Sequence, residues 1–244
     1  MNNQMECFKN PLIIAKKEML TYLNAPASYI VLFVFLIISG WFFTSPLFLI
    51  NQAVMDTLFS IVPIVFVFFI PAITMNLISR EKDNGTIESL TTFPLTDAEI
   101  IIGKFLSSVA LMGIGLLFTL IHFITIAWLG QNVDFGAIIC GYLGLFLMGA
   151  AYSAIGIFAS TLSNNQIIAF IIGLLIIFFL FVLQFILFFL PNFLAEFFQF
   201  ISSDYHFSNL AKGIIDSRNL IYFASLVVIF LKLAIIIMES RKWK

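Results

Sequence analysis

Long runs without a charged side chain constrain this chain more than any other feature of its sequence. Nothing is charged between Glu18 and Asp56, and the 61 residues between Asp134 and Glu196 are also uncharged. An α-helix rises about 1.5 Å per residue, so roughly 20 apolar residues are enough to cross the hydrocarbon core of a bilayer. The longer run is therefore predicted to hold two crossings, divided at 164–166.

The same argument, applied along the whole chain, predicts an all-α polytopic membrane protein. Its composition agrees, because 61% of the residues are hydrophobic and only 10% are charged, against about 45 to 50% apolar residues in soluble proteins. We expect one transmembrane domain over 1–244 with six spans, at 28–50, 57–79, 105–130, 136–162, 166–190 and 220–238.

Two amphipathic segments lie outside these spans. The first, 1–26, is predicted to hold an interfacial helix that Asn10 caps and Pro11 opens. The second, 191–219, carries apolar positions at helical spacing interrupted at 202–204, which predicts two short helices at the opposite membrane surface.

Lys and Arg predict the orientation, because cytoplasmic loops are enriched in both. Both termini and the loop 80–104 hold most of these residues, so we expect them to be cytoplasmic and 191–219 to be extracellular. This arrangement predicts a multi-pass protein of the cytoplasmic (inner) membrane. No cleavable signal peptide is expected, because mixed charges precede a first apolar run that is too long for one.

Several kinds of site are disfavoured by the residue types present. Cys7 and Cys140 form no framework for a disulfide or a metal, and the histidines are far apart. The spans hold no paired carboxylates or His cluster, which disfavours an intramembrane enzyme. The balance of 12 basic and 13 acidic residues argues against a nucleic-acid partner. Lys232 is predicted to snorkel to the interface rather than to bind a substrate.

The loop 80–104 is the main candidate for a functional site. Gly85 permits a tight turn, Thr86 to Thr92 is predicted to form a short helix, and Pro94 ends it. Thr96 and Glu99 have the spacing of a capping box that opens the third span. The alternative interpretation is that the loop is a solvated connector, whose Lys and Arg residues only reflect the positive-inside rule.

The residues of this loop resemble a motif of ABC-2 type transporter permeases. They read Arg80-Glu81-Lys82-Asp83-Asn84-Gly85-Thr86-Ile87-Glu88-Ser89-Leu90, then Phe93-Pro94-Leu95-Thr96-Asp97-Ala98-Glu99-Ile100 and Gly103-Lys104. Within that superfamily the chain is most similar to the gliding-motility-associated permease and to its nitrous-oxide-maturation relative. The resemblance extends over nearly the whole chain.

The resemblance implies that the chain is one half of an exporter driven by a separate ATPase. Thr86 to Thr92 would be the coupling helix that contacts the ATPase, and the implied contact residues are Arg80, Glu81, Lys82, Gly85, Thr86, Glu88 and Leu90. Implied partners are a P-loop nucleotide-binding subunit, a second permease copy or paralogue, an auxiliary membrane or periplasmic protein, and the lipid bilayer.

The sequence itself also predicts a separate ATPase. Its only Gly-Lys pair, Gly103-Lys104, is followed by Phe105, and Ala98 stands where a P-loop needs its first glycine. We therefore expect no cofactor in this chain, with ATP and Mg²⁺ on the partner. The apolar spans favour an envelope-related or amphiphilic cargo, or mechanical work on the envelope. A passive channel or a non-transporting membrane anchor is the alternative.

Overall fold

The computed structural model is almost entirely helical. It describes residues 2–49, 55–86, 95–129, 134–186 and 191–240. In chain order the helices are α1 Asn2–Asn24, α2 Pro26–Leu49, α3 Asp56–Thr74, α4 Ser79–Asp83, α5 Asp97–Leu129, α6 Phe135–Leu162, α7 Gln166–Ile186, α8 Asn192–Ile201, α9 Ser203–Ala211 and α10 Ser217–Ser240.

The prediction of six spans is confirmed within the described residues. Six segments are long and apolar enough to cross a membrane: α2, α3 with α4, α5, α6, α7 and α10. Successive spans run in opposite directions, so the bundle has two ends. We call the end that holds α1, α4 and the start of α5 the α1 end, and the end that holds α8, α9 and the start of α10 the α9 end.

The bundle is built around α6, which contacts α3, α5, α7, α9 and α10. Leu145, Met148, Tyr152 and Ile155 of this helix are fully buried. By contrast α2 lies at the edge, where Ile30, Phe33 and Trp41 are exposed. A membrane helix can leave such side chains exposed because lipid tails are as apolar as they are.

The first helix differs from its prediction. α1 begins at Asn2 and runs through Pro11, so the expected start with Asn10 as the cap is wrong. The Asn10 side chain instead donates a hydrogen bond from Nδ2 to Glu99 Oε1 at 3.0 Å. A tertiary contact with α5 has therefore replaced the local cap.

The second span is interrupted, because α3 stops at Thr74 rather than continuing to 79 and α4 begins at Ser79. Turns connect it to α4, whose first N–H groups have no partner inside so short a helix. Ser160 Oγ of α6 accepts from the backbone N–H of Ile78 at 3.1 Å and of Ser79 at 3.0 Å. This side chain from a distant helix stabilises the break.

The segment 191–219 forms two short helices, α8 and α9, as its interrupted pattern predicts. Ser202 ends the first and begins the second, and its Oγ accepts from the Tyr205 N–H at 3.4 Å. The third span is longer than predicted, because α5 already begins at Asp97.

Candidate functional site

A buried lysine joins three helices at the α1 end. Lys104 of α5 is only 1% exposed, and its Nζ lies 3.1 Å from Glu18 Oε1 of α1 and 2.7 Å from Glu81 Oε1 of α4. The two carboxylates are themselves largely shielded. Since removing a charge from water costs several kcal/mol, this cation depends on both partners. The ion pairs therefore fix the first arm of the loop, 80–86, to α1 and α5.

Gly103 explains how α1 comes close enough to α5 for these contacts. A Cβ placed on it would lie 2.7 Å from Ile14 Cβ and 2.9 Å from the Pro11 carbonyl oxygen, so a larger residue would push the helices apart. The Gly-Lys pair thus combines a close helix contact with a buried cation. It belongs to helix packing, and not to a phosphate-binding loop.

The capping box at the start of α5 is confirmed. The Thr96 N–H donates to Glu99 Oε2 at 2.8 Å, and the Glu99 N–H donates to Thr96 Oγ1 at 3.2 Å. The remaining oxygen of Glu99 accepts from Asn10 of α1. The Glu99 carboxylate therefore caps the start of α5 with one oxygen and binds α1 with the other.

On its other side, the loop arm is attached to α6. Lys82 Nζ donates to the Thr161 carbonyl oxygen, and Ser160 Oγ donates to the Met75 carbonyl oxygen at 2.9 Å. Gly156, one turn earlier, packs so closely on α3 that a Cβ there would lie 2.0 Å from Thr74 Oγ1. The small residues of α6 therefore serve close packing at this break in the second span.

The outward side of the arm is exposed. Arg80, Asp83, Asn84, Gly85 and Thr86 are exposed, whereas Glu81 and Lys82 are half-buried. The turn predicted at Gly85 is present, with φ of 66° and nothing within 4 Å of the position a Cβ would take. Glu88, Leu90 and most of the predicted Thr86 to Thr92 helix lie outside the described residues.

A polar cleft of about 340 Å³ separates α1 from α4. Lys17, Glu18, Arg80 and Glu81 bring charges of both signs to its walls. Tyr22 closes it, donating a hydrogen bond to the Ile73 carbonyl oxygen at 2.9 Å. Burial, and then the charge of Glu18, raise the pKa of the Tyr22 hydroxyl, which keeps it protonated as a donor.

Sequence reasoning missed Glu18, Tyr22, Asn10 and Ser160 as parts of this site. The sequence does indicate that Lys104 needs an acidic partner, because a lysine at the start of an apolar helix requires one. It does not indicate which carboxylate is that partner. Among the residues the structure describes, no cluster of three or more His, Cys, Asp or Glu could hold a metal ion.

Comparison with known protein families shows which family the chain belongs to. The family described as ABC-2 family transporter protein matches residues 42–238, which contain the loop arm, Lys104 and all helices from α3 to α9. The match begins after α1, so Glu18 and Tyr22 lie outside it. No curated protein matches the chain. With most of its length matched, the chain belongs to the ABC-2 family of transporter proteins.

Proposed function

We propose that this chain is the transmembrane permease subunit of an ATP-binding cassette exporter and that it couples ATP hydrolysis on a separate subunit to export. Membership of the ABC-2 transporter family supports a permease role. The observation that carries the coupling proposal is the attachment of the loop arm 80–86 to its neighbours. Lys104 joins it to α1 and α5, Lys82 joins it to α6, and Ser160 of α6 holds the start of α4.

In this arrangement, movement of a docked ATPase would be transmitted through the loop arm to the helices of the bundle. Glu81 and Lys82 bond within the chain, so we assign them to bracing the arm. Arg80, Gly85 and Thr86 are exposed and are assigned to the ATPase contact, together with Glu88 and Leu90 farther along the loop. A push on the loop would move α1, α5 and α6 together, because they share these bonds.

ATP and Mg²⁺ belong to the partner in this proposal. The chain lacks the Gly-rich phosphate loop, and Gly103 and Lys104, the nearest approach to one, are buried in helix contacts. The orientation follows the distribution of Lys and Arg, with both termini and the α1 end on the cytoplasmic side of the inner membrane.

A second permease copy or a paralogue completes the unit. Six spans are half of the pathway that the family resemblance implies. The edge helix α2 exposes large apolar side chains, among them Phe33 and Trp41, beside an apolar groove of about 620 Å³ shared with α3. We assign this face to the partner permease. Native mass spectrometry of the extracted complex counts the copies, and a single six-helix subunit would contradict the assignment.

The transported material is assigned by the chemistry of the spans. An envelope-related or amphiphilic cargo, or work done on an envelope component, fits a bundle with a large apolar core. The similarity to gliding-motility-associated and nitrous-oxide-maturation permeases favours an envelope machine. The proposed partners also include an auxiliary membrane or periplasmic protein.

Gly85 offers a sharp test of coupling. Valine at a φ of 66° is strained by about 1 to 3 kcal/mol, whereas asparagine tolerates this region. We expect Gly85→Val to lower ATPase co-purification and cargo-stimulated hydrolysis in the assembled complex, and Gly85→Asn to keep both. Glu88→Ala should lose the same responses. Phosphate release by the isolated chain, or full coupling in Gly85→Val, would contradict the proposal.

A further inference from the structure

A polar cavity of about 360 Å³ lies at the α9 end, between α8, α9 and the start of α10. It is far from the loop arm and has no part in the coupling proposal. Its walls include His206 and Asn219, and its rim carries Glu196, Asp216 and Arg218. The cavity is thus polar at a membrane surface and carries charges of both signs.

The inner wall of the cavity has a buried amide oxygen without a hydrogen-bond partner. Asn219 is 2% exposed, and its side-chain amide lies 2.7 Å from His206 Nδ1. The other ring nitrogen of His206, Nε2, lies 3.0 Å from the Phe200 carbonyl oxygen and donates to it. Nδ1, which carries no hydrogen when Nε2 does, therefore accepts from the amide nitrogen of Asn219. Within the described part of the chain, the other polar atom of this amide, its oxygen, then has no donor. Such an acceptor is costly to bury, so a ligand that supplies an N–H donor would be stabilised here.

The rim charges are available as well. Neither Arg218 nor Glu196 forms an ion pair with another of the residues that the structure describes. Asp216 uses one carboxylate oxygen to accept from the Arg218 backbone N–H at 2.9 Å, which leaves the guanidinium free for a ligand. Two carboxylates and one guanidinium around a small cavity favour a ligand with both a cationic and an anionic group.

The surroundings of the cavity are those of a membrane surface. Phe197 and Phe200 of α8 are each 63% exposed, and Ile214 and Ile215, before α10, are 56% and 64% exposed. Large apolar side chains in this position bury themselves at the boundary between headgroups and acyl chains. A ligand reaching the cavity from the bilayer would keep its apolar part against these residues.

We propose that the cavity binds the headgroup of a phosphatidylethanolamine-type lipid from the leaflet at the α9 end. The phosphate would accept from Arg218. The ammonium group, with its three N–H donors, would donate to Glu196, Asp216 and the amide oxygen of Asn219. A choline headgroup has no N–H donor for the carboxylates, and a glycerol headgroup has no cation, so both should bind less well.

Lipid retention measures this preference directly. The detergent-extracted protein is equilibrated with phosphatidylethanolamine, phosphatidylcholine or phosphatidylglycerol of identical acyl chains, and the bound lipid is counted by native mass spectrometry. We expect phosphatidylethanolamine to be retained about tenfold better than either of the others, the effect of one charge-assisted contact. Equal retention of all three, or strongest retention of phosphatidylglycerol, would overturn the proposal.

Two exposed rim residues allow variants that leave the bundle intact. Arg218→Gln and Glu196→Gln should each abolish the preference for phosphatidylethanolamine, whereas Lys212→Gln, an exposed cation outside the cavity, should keep it. A preference that survives both rim variants overturns the assignment. Displacement of the lipid by an equal concentration of soluble glycerophosphoethanolamine would also overturn it, in favour of a water-soluble headgroup ligand.

Discussion

The two ends of the bundle are held together by different chemistry. At the α1 end a buried cation, Lys104, bonds to two carboxylates from other helices. At the α9 end Tyr152 and Ser203 share a hydroxyl hydrogen bond of 2.7 Å, and His206 stacks on Tyr222 with ring centroids 4.0 Å apart. A buried ion network fails as a unit when one member is removed, whereas stacked rings and single hydrogen bonds fail one at a time.

This difference matches the roles that we propose. An end that receives a push from an ATPase needs its helices to move together, and shared charges tie α1, α4 and α5 to one another. The opposite end packs mainly through aromatic side chains and contains the polar cavity. We therefore expect substitutions to be most costly at the α1 end.

The largest expected effect is that of Lys104→Met. The substitution leaves Glu18 and Glu81 without their cation, and losing one partner of a buried ion pair costs about 3 to 5 kcal/mol. Thermal unfolding of the detergent-extracted protein should show a marked loss of stability. Lys212→Met, which removes an exposed cation, is the matched control.

Neutralising the whole network provides the second half of this experiment. Adding Glu18→Gln and Glu81→Gln to Lys104→Met removes the unpaired charges, so most of the lost stability should return. If Lys104→Met unfolds at the same temperature as the wild type, the ion pairs do not stabilise the α1 end. The proposed difference between the two ends would then be wrong.

The spans could be predicted from sequence because uncharged length is a local property. The capping box of Thr96 and Glu99 was predictable for the same reason, since its members are three positions apart. The partners of Lys104 were not, because Glu18 and Glu81 lie 86 and 23 positions away. Their meeting depends on how α1 and α4 pack against α5.

The break after Thr74 shows the same limit. Nothing in an apolar run containing Pro63 and Pro71 shows that Ser160 will accept two N–H groups at the start of α4. The cap at Asn10 was predicted from a pattern that is correct locally, but its side chain reaches Glu99 instead. Candidate site residues could thus be chosen by type, whereas their contacts required the packed bundle.

Gly103 tests the close contact behind the ion pairs. Gly103→Ala should cost about 1 to 3 kcal/mol, because its Cβ would meet a backbone oxygen that cannot rotate away. Gly113→Ala is the control on the same helix, since its Cβ would meet only Phe146 Cε2 at 3.9 Å. Thermal unfolding and protease cleavage of α1 would be measured. Equal behaviour of the two variants would show that α1 does not depend on this contact.

The smallest expected effect is a pH dependence at the α9 end. Burial raises the pKa of the Asp204 carboxyl from 3.8 to about 6, and the Tyr152 hydroxyl is its titratable neighbour. The folded state then holds a proton that the unfolded chain has lost. Protonated Asp204 stabilises the fold below about pH 4, and this contribution disappears as the pH rises through 6.

Because Asp204 is partly exposed, the change in the free energy of unfolding should be about 1 kcal/mol between pH 4 and pH 7. Asp204→Asn cannot titrate, so it should be more stable than the wild type at pH 7.5 and should lose this part of the pH slope. Thermal unfolding of both proteins across the range measures the difference. Parallel curves for wild type and variant would show that Asp204 is not the group that makes the α9 end sensitive to pH.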